Sequence, residues 1–222
     1  MSTTLPLFPL GSVLYPGLVL PLHIFEERYR QLVADLVDGP EPREFGVIAI
    51  RHGRETGVDG VSALYDTGCT AVVRQVEAYE DGRFDLITVG ARRFMLVALG
   101  DQAPYFSGEV DFLPDDPDEA GEAALVVPVV RQSFRSYLDL LAERGGAQIT
   151  VPDIPDEPIL LSYLVAAAVV VDVPEKQQLL EEPDAHRRLL AERRLLAREM
   201  KMLRSLTATP APDLRYSPYS QN

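Results

Sequence analysis

Leu5 to Tyr29 reads L-P-L-F-P-L-G-S-V-L-Y-P-G-L-V-L-P-L-H-I-F-E-E-R-Y, and the fold is decided by how this stretch is read. Pro6, Pro9, Pro16 and Pro21 cut its apolar pairs and triplets at intervals too short for a regular helix, because each proline lacks a backbone donor and clashes with the preceding turn. Extended chain is what remains. It bends at Tyr15-Pro16-Gly17, where proline presets one turn dihedral and glycine supplies the next. Val19, Leu20, Leu22 and Ile24 then read as a buried strand with prolines at its margins. From Phe25 the period changes: Tyr29, Leu32, Val33, Leu36 and Val37 recur at helical spacing, and Gly39-Pro40 closes the run. A proline-pinned turn that delivers a strand into a short helix is the expected nucleus.

Working outward, Glu44 to Arg51 reads as a buried strand, and the glycines and charges of His52 to Gly60 predict a mobile surface loop. Gly68 to Tyr79 is a strand with both faces partly covered. Asp81-Gly82 is a hairpin turn, with Phe84 to Val89 returning from it. Arg93 to Leu99 and Phe106 to Phe112 add two more strands. Short strands separated by turn residues and holding one early helix predict a small antiparallel or mixed β-barrel over residues 1–113.

After Leu113 the acids and prolines of 114–121 predict a linker, and residues 122–206 read as a helical subdomain. Pro128 is expected to kink or interrupt the helix running from about Glu119 to Glu143. Ile159 to Val170, apolar on every side, predicts a central helix. Asp172-Val173-Pro174 starts a short helix that Glu181-Glu182-Pro183 breaks, and Asp184 caps the last helix, Ala185 to Leu206. Residues 207–222, with their prolines and serines, are expected to form a disordered tail. On the last helix Glu192 and Glu199 fall within the apolar face, while most basic residues fall opposite. Pairing of the two acids with Arg131, Arg135 or Arg188 is expected there, and the alternative for the basic face is docking of an acidic partner.

The 222 residues suit one large domain or two small ones, and the net charge of −13 predicts a soluble chain that repels nucleic-acid backbone. The lone Cys69 has no disulfide partner within the chain. No basic segment followed by an apolar run opens the sequence, and Tyr163 to Val171, the most apolar stretch, is shorter than the roughly 20 residues a membrane span needs. A cytoplasmic protein is expected, with no membrane association.

The opening stretch resembles the amino-terminal, substrate-binding domain of Lon-type ATP-dependent proteases, whose pattern is L-P-L-F-P-L, a Y/F-P-G turn and P-L-x-I-F-E-x-R-Y. Leu5 to Leu10, Tyr15 to Gly17 and Pro21 to Tyr29 carry those pieces, and V-G-A-R-R-F at Val89 to Phe94 extends the likeness. The resemblance implies an α+β fold, a PUA-like pseudobarrel followed by a helical bundle, in a free-standing form without ATPase or protease domains. It also implies binding of exposed apolar segments in unfolded or partly folded polypeptides, with a protease or chaperone as a further partner.

Catalytic patterns are not found. Lys176 and Lys201 are the only lysines, and neither stands in G-x-x-x-x-G-K-[ST]. His23, His52 and His186 lie in separate segments. His23 and Glu26 lack a third ligand, so no metal site and no cofactor are expected. Cys69 reads as a small core residue, and Asp115, Asp116 and Asp118 as a solvated linker rather than a calcium loop. A binding surface remains: an apolar groove with a polar rim, helped by a sheet edge. The residues expected around it are Tyr15, Pro16, His23, Phe25, Glu26, Arg28 and Tyr29, with Arg93 and Phe94 nearby. Against this stand core roles for Phe25 and Tyr29 and a fold-holding pair of Glu26 with Arg28 or Arg93. The competing functions are small-molecule chemistry in the barrel cleft, and RNA binding through Arg92 and Arg93, which the acidic balance opposes.

Overall fold

A computed structural model describes residues 2–53, 61–100, 104–115, 121–145 and 153–207. Six strands and five helices follow one another in chain order: β1 (Thr3–Leu10), β2 (Val19–Ile24), α1 (Glu27–Asp38), β3 (Glu44–Gly53), β4 (Val61–Ala78), β5 (Phe84–Leu99), β6 (Ser107–Leu113), α2 (Glu122–Gly145), α3 (Pro158–Ala168), α4 (Val173–Glu181) and α5 (Ala185–Thr207). The sheet order is β2-β5-β4-β3-β1-β6, and β6 also pairs with β5. Five strands therefore close a ring, β1-β3-β4-β5-β6, while β2 hangs on the first half of β5 with its other edge open. This mixed α+β pseudobarrel is the expected fold class, with one strand outside the ring.

The prolines of the opening stretch lie within strands, and hydrogen-bond alternation explains why this is tolerated. The Leu7 N–H donates to Phe106 O at 2.7 Å, so odd residues of β1 face β6 and even residues face β3. Pro6 is even, and its missing N–H would point past the start of the β3 ladder, which opens at Leu7–Gly46. Pro9 is odd, and its missing N–H would point past the end of the β6 ladder, which closes at Pro6–Ser107. In β2 the Gly90 N–H donates to Leu18 O at 2.8 Å, which puts even residues toward β5 and turns Pro21 to the open edge.

β2 corrects the expectation of a buried strand: Pro21 sits at its middle, only Ile24 is buried, and Val19 is 62 % exposed. An edge strand covered on one face alternates instead. A second correction concerns the V-G-A-R-R-F segment, which joins the strands expected at Phe84 to Val89 and Arg93 to Leu99 into one 16-residue β5.

The Tyr15-Pro16-Gly17 bend forms as expected, with Gly17 at φ +79°. Its seat is Gly90 on β5. The Gly17 N–H donates to Gly90 O at 2.8 Å, and a Cβ at Gly90 would come within 2.2 Å of Tyr15 O. The bend drives the Tyr15 ring into the helical core, where it packs with Tyr163, and the Tyr15 hydroxyl donates to Lys176 O on α4 at 2.8 Å. Burial pushes the Tyr15 hydroxyl far above the usual phenol range.

α1 closes one end of the barrel with Tyr29, Leu32 and Val33 against Phe8 and Phe45. At the other end the Phe94 ring lies over Gly46 and Gly68, where a Cβ would meet it within 2.9 Å and 2.3 Å. α2 runs unbroken through Pro128, against the expected interruption. Pro128 and Ala124, whose carbonyl loses its donor, are both on the exposed face, where the carbonyl is not sealed from solvent. Asp172 and Asp184 cap α4 and α5 as expected, accepting from Glu175 N at 3.0 Å and Arg187 N at 2.8 Å. The loop at 54–60, the residues 116–120 of the linker and the tail 208–222 lie outside the described residues.

Two acids of α5 do not pair as expected. Arg198 binds Glu199 at 2.8 Å, while Arg131 pairs with Asp156. Arg188, fully buried, donates to Leu179 O, Ser162 Oγ and Glu182 O, and its guanidinium lies over the Tyr163 ring at 4.2 Å. Glu192 is 0 % exposed, and neither carboxyl oxygen has a hydrogen-bond partner. Burial raises its carboxyl well above the usual range, outweighing the attraction of Arg188. Burial thus favours the neutral form of the side chain, which lowers the cost that a buried charge would carry.

Candidate functional site

The open edge of β2 faces the second half of β1, which has already left β6. Between them runs an apolar seam made of two adjoining hollows that share Leu10, of about 130 Å³ and 150 Å³. Phe8, Pro9, Leu22 and Phe25 wall the first, and Val13, Leu18 and Val19 belong to the second. Phe25 is 55 % exposed, an unusual position for a large ring. Strand parity leaves the N–H groups of Val19 and His23 and the carbonyls of Val19, Pro21 and His23 directed along the open edge.

The polar rim is a three-residue network. His23 Nδ1 lies 2.5 Å from Asp85 Oδ1, and the Tyr79 hydroxyl donates to Asp85 Oδ2 at 2.6 Å. Hydrogen bonds from Tyr79 and then His23 hold the Asp85 carboxyl below its usual range, and the same Asp85 contact raises the Tyr79 hydroxyl. With Asp85 as acceptor, Nδ1 carries the hydrogen and Nε2 is left as the ring's second polar atom. The ring stacks beside Phe25 at 6.3 Å, so aromatic and polar surface meet at the mouth of the seam.

The residues expected at the site divide by burial. His23, Phe25 and Glu26 line the first hollow, with Tyr29 buried behind them. Glu26 pairs with Arg28 at 2.9 Å, the fold-holding reading of that acid, and Arg28 lies over the Tyr29 ring at 4.6 Å. Tyr15 lines the second hollow but is itself buried, as is Pro16. Arg93 and Phe94 are not at the groove. Phe94 fills the barrel core, and Arg93, 2 % exposed, donates to Leu180 O, Glu182 O, Pro114 O and Pro183 O and pairs with Asp115 at 3.0 Å. The walls Phe8, Pro9, Leu10 and Leu22 were missed as site residues because their apolar alternation reads as core; Phe8 and Pro9 are in fact buried, and Leu10 and Leu22 are half-buried beside the open β2 edge. Cys69 is buried, and its thiol is pushed far up by burial, in line with a core residue. Among the described residues no three His, Cys, Asp or Glu side chains converge as on a metal ion, and no helix is long and apolar enough to cross a membrane.

The molecule is a pseudobarrel with an open apolar seam beside a helical bundle. Residues 4–198 match the model of the ATP-dependent protease La (LON) substrate-binding domain, and the chain belongs to that family. It is 29 % identical over 202 residues to Lon protease 2 of Myxococcus xanthus, covering 90 % of this chain and 24 % of that protein. It is 25 % identical over 186 residues to Lon protease of Escherichia coli strain K12, covering 83 % of this chain and 23 % of the relative. The chain thus spans about a quarter of the length of these relatives. Among solved structures it is similar to a Lon N-terminal domain protein from Xanthomonas campestris, with TM-score 0.58, 29 % identity and coverage of 88 % of this chain and 98 % of that one. The N-terminal domain of Mycobacterium avium complex Lon protease superposes with TM-score 0.61 over 90 % of this chain and 98 % of that one, at 18 % identity, a likeness of fold.

Proposed function

We propose that this protein is a non-catalytic binding module that holds exposed apolar segments of unfolded or partly folded polypeptides in the seam between β1 and β2, in the cytoplasm, and passes them to a protease or chaperone. The carrying observation is the pairing of an open strand edge with an apolar trough under it. An extended guest can hydrogen-bond to Val19 and His23 while its alternate side chains enter the hollows against Phe8, Leu10 and Leu22. Membership of the Lon substrate-binding family supports the same class of guest. Residues 1–113 and 122–206 would act together, one presenting the seam and the other backing it through Tyr15.

The test is binding of a fluorescent, permanently unfolded carboxymethylated protein by anisotropy. Replacing Val19 with Asp and Phe25 with Ser, both exposed, should weaken binding at least about 10-fold, the loss of roughly 1.4 kcal/mol of contact, with the melting temperature unchanged. Undiminished binding would remove the seam from consideration. The same mixture incubated with ATP should show neither cleavage of the guest nor nucleotide turnover; either activity would overturn the non-catalytic reading.

A further inference from the structure

The last helix concentrates cations in an acidic molecule. Seven of them against Glu192 and Glu199 make α5 +5, which leaves the other residues at −18 (−13 − 5). The fold uses only part of that charge. Arg188 is buried in the helical core, Arg198 is clamped by Glu175 and Glu199, and Arg187, 67 % exposed, meets Asp184 at a loose 3.5 Å. Arg193, Arg194 and Lys201 are exposed and have no acid within ion-pair reach among the described residues.

Neither the helix dipole nor pairing within the helix accounts for this row. Cations near a helix C-terminus are favoured by the macrodipole, yet Arg187 lies in the first turn and only Arg204 in the last. Arg194 with Arg198, and Arg198 with Lys201, stand at i,i+4 and i,i+3, spacings at which opposite charges support a helix and like charges cost it stability. Spacing selects what would relieve them. Arg187, Arg194 and Lys201 recur at seven-residue intervals, so they fall within about 40° of one another around α5 and about 10.5 Å apart along it. Half-buried Leu190 and exposed Ala197 lie between them and make a low floor. A second helix laid along this face repeats at the same interval. An extended strand covers about 10.5 Å in about three residues, which turns successive acids to opposite faces. Nucleic acid, with a charge about every 3.4 Å along each strand, gains nothing from the interval and is repelled by the −18 carried elsewhere.

We propose that the outer face of α5 docks an acidic α-helix of a partner protein, whose carboxylates, seven residues apart, meet Arg187, Arg194 and Lys201 while its intervening residues rest on Leu190 and Ala197. The surface is separate from the seam and does not depend on what the seam holds. A second copy of the chain does not fit as the occupant. The net charge of −13 opposes self-association, and none of the described helices carries three exposed acids at that interval.

Two fluorescent, lactam-bridged helical peptides of one composition test it. One carries three glutamates at every seventh position; the other carries them at every fifth, which scatters them around the helix. The first should bind about tenfold more tightly, or better, at low ionic strength. That ratio should collapse toward one in the Arg194→Gln, Lys201→Gln variant. It should survive in the Arg135→Gln, Arg193→Gln variant, which removes as much exposed charge from outside the row. All four side chains are exposed, so both variants should keep the wild-type melting temperature. Equal affinities for the two peptides, an undiminished ratio without Arg194 and Lys201, or its collapse in the control variant would overturn the proposal. The Val19→Asp, Phe25→Ser variant should bind the first peptide as the wild type does, which reads the two surfaces apart; weakened binding there would place the peptide in the seam and overturn the proposal. A DNA duplex that binds more tightly than the first peptide at physiological salt would reassign the face to nucleic acid. A wild-type dimer that dissociates in the Arg194→Gln, Lys201→Gln variant would reassign it to a second copy. Either result overturns the acidic-helix partner.

Discussion

Arg93 ties one strand to four carbonyls on two other segments, the end of α4 with the turn after it and the chain after β6. A planar fork of fixed donors suits that task, and an ammonium cannot reach all of its acceptors. Arg93→Lys should therefore cost about 3 kcal/mol in urea denaturation; a loss below about 1 kcal/mol would show that the carbonyls rehydrate freely. Glu192 makes a prediction of opposite character. Its folded carboxyl titrates well above the unfolded one, so its contribution is fully present below the unfolded value and is lost as pH rises toward the folded value. Glu192→Gln keeps the shape and removes the charge. Its melting temperature should match the wild type near pH 4 and exceed it increasingly toward pH 9, and a pH-independent difference would refute the neutral-acid reading. The position of Glu192 on the apolar face could be read from helical periodicity, but its lack of a partner could not. Periodicity places a residue on a face; it does not say which arginine the neighbouring helices will leave over.

Two sequence motifs some seventy residues apart turn out to be one structural device, since the Tyr15-Pro16-Gly17 bend sits on the glycine of V-G-A-R-R-F. Gly90→Ala should destabilise the fold by about 2–4 kcal/mol, because a methyl there meets backbone that cannot rotate away. Pro16→Ala should cost only about 1 kcal/mol through added freedom of the unfolded chain; equal losses by equilibrium unfolding would mean that the bend is not seated as described. The strands, the early helix, the hairpin and the caps were legible because turn chemistry and period are local. The burial of β2 was not, because whether a strand has one neighbour or two depends on a ring that closes elsewhere, through β6. That α2 is not interrupted at Pro128 has a related reason: the cost of the proline depends on whether Ala124 O faces water, and the helix face decides that.

Across the molecule, sheet and helices share side chains: Tyr15 belongs to the helical core, Arg93 to the α4–α5 turn, and Gln177 to Thr67. Heating should therefore melt both parts in one transition, with far-ultraviolet and tyrosine signals coincident. Two separated transitions in the wild type would show that those links are too weak to couple them. Composition reads a division of the sequence at its acidic, proline-rich stretch. The long-range bonds across it carry no local signature, since each arginine and tyrosine that makes them looks like any other in the sequence.

Pro21, with its absent donor turned outward, leaves the open edge only two backbone hydrogens to offer, at Val19 and His23. An extended chain docked there, as proposed above, would find few rungs to pair with, so Pro21 would shorten its residence time.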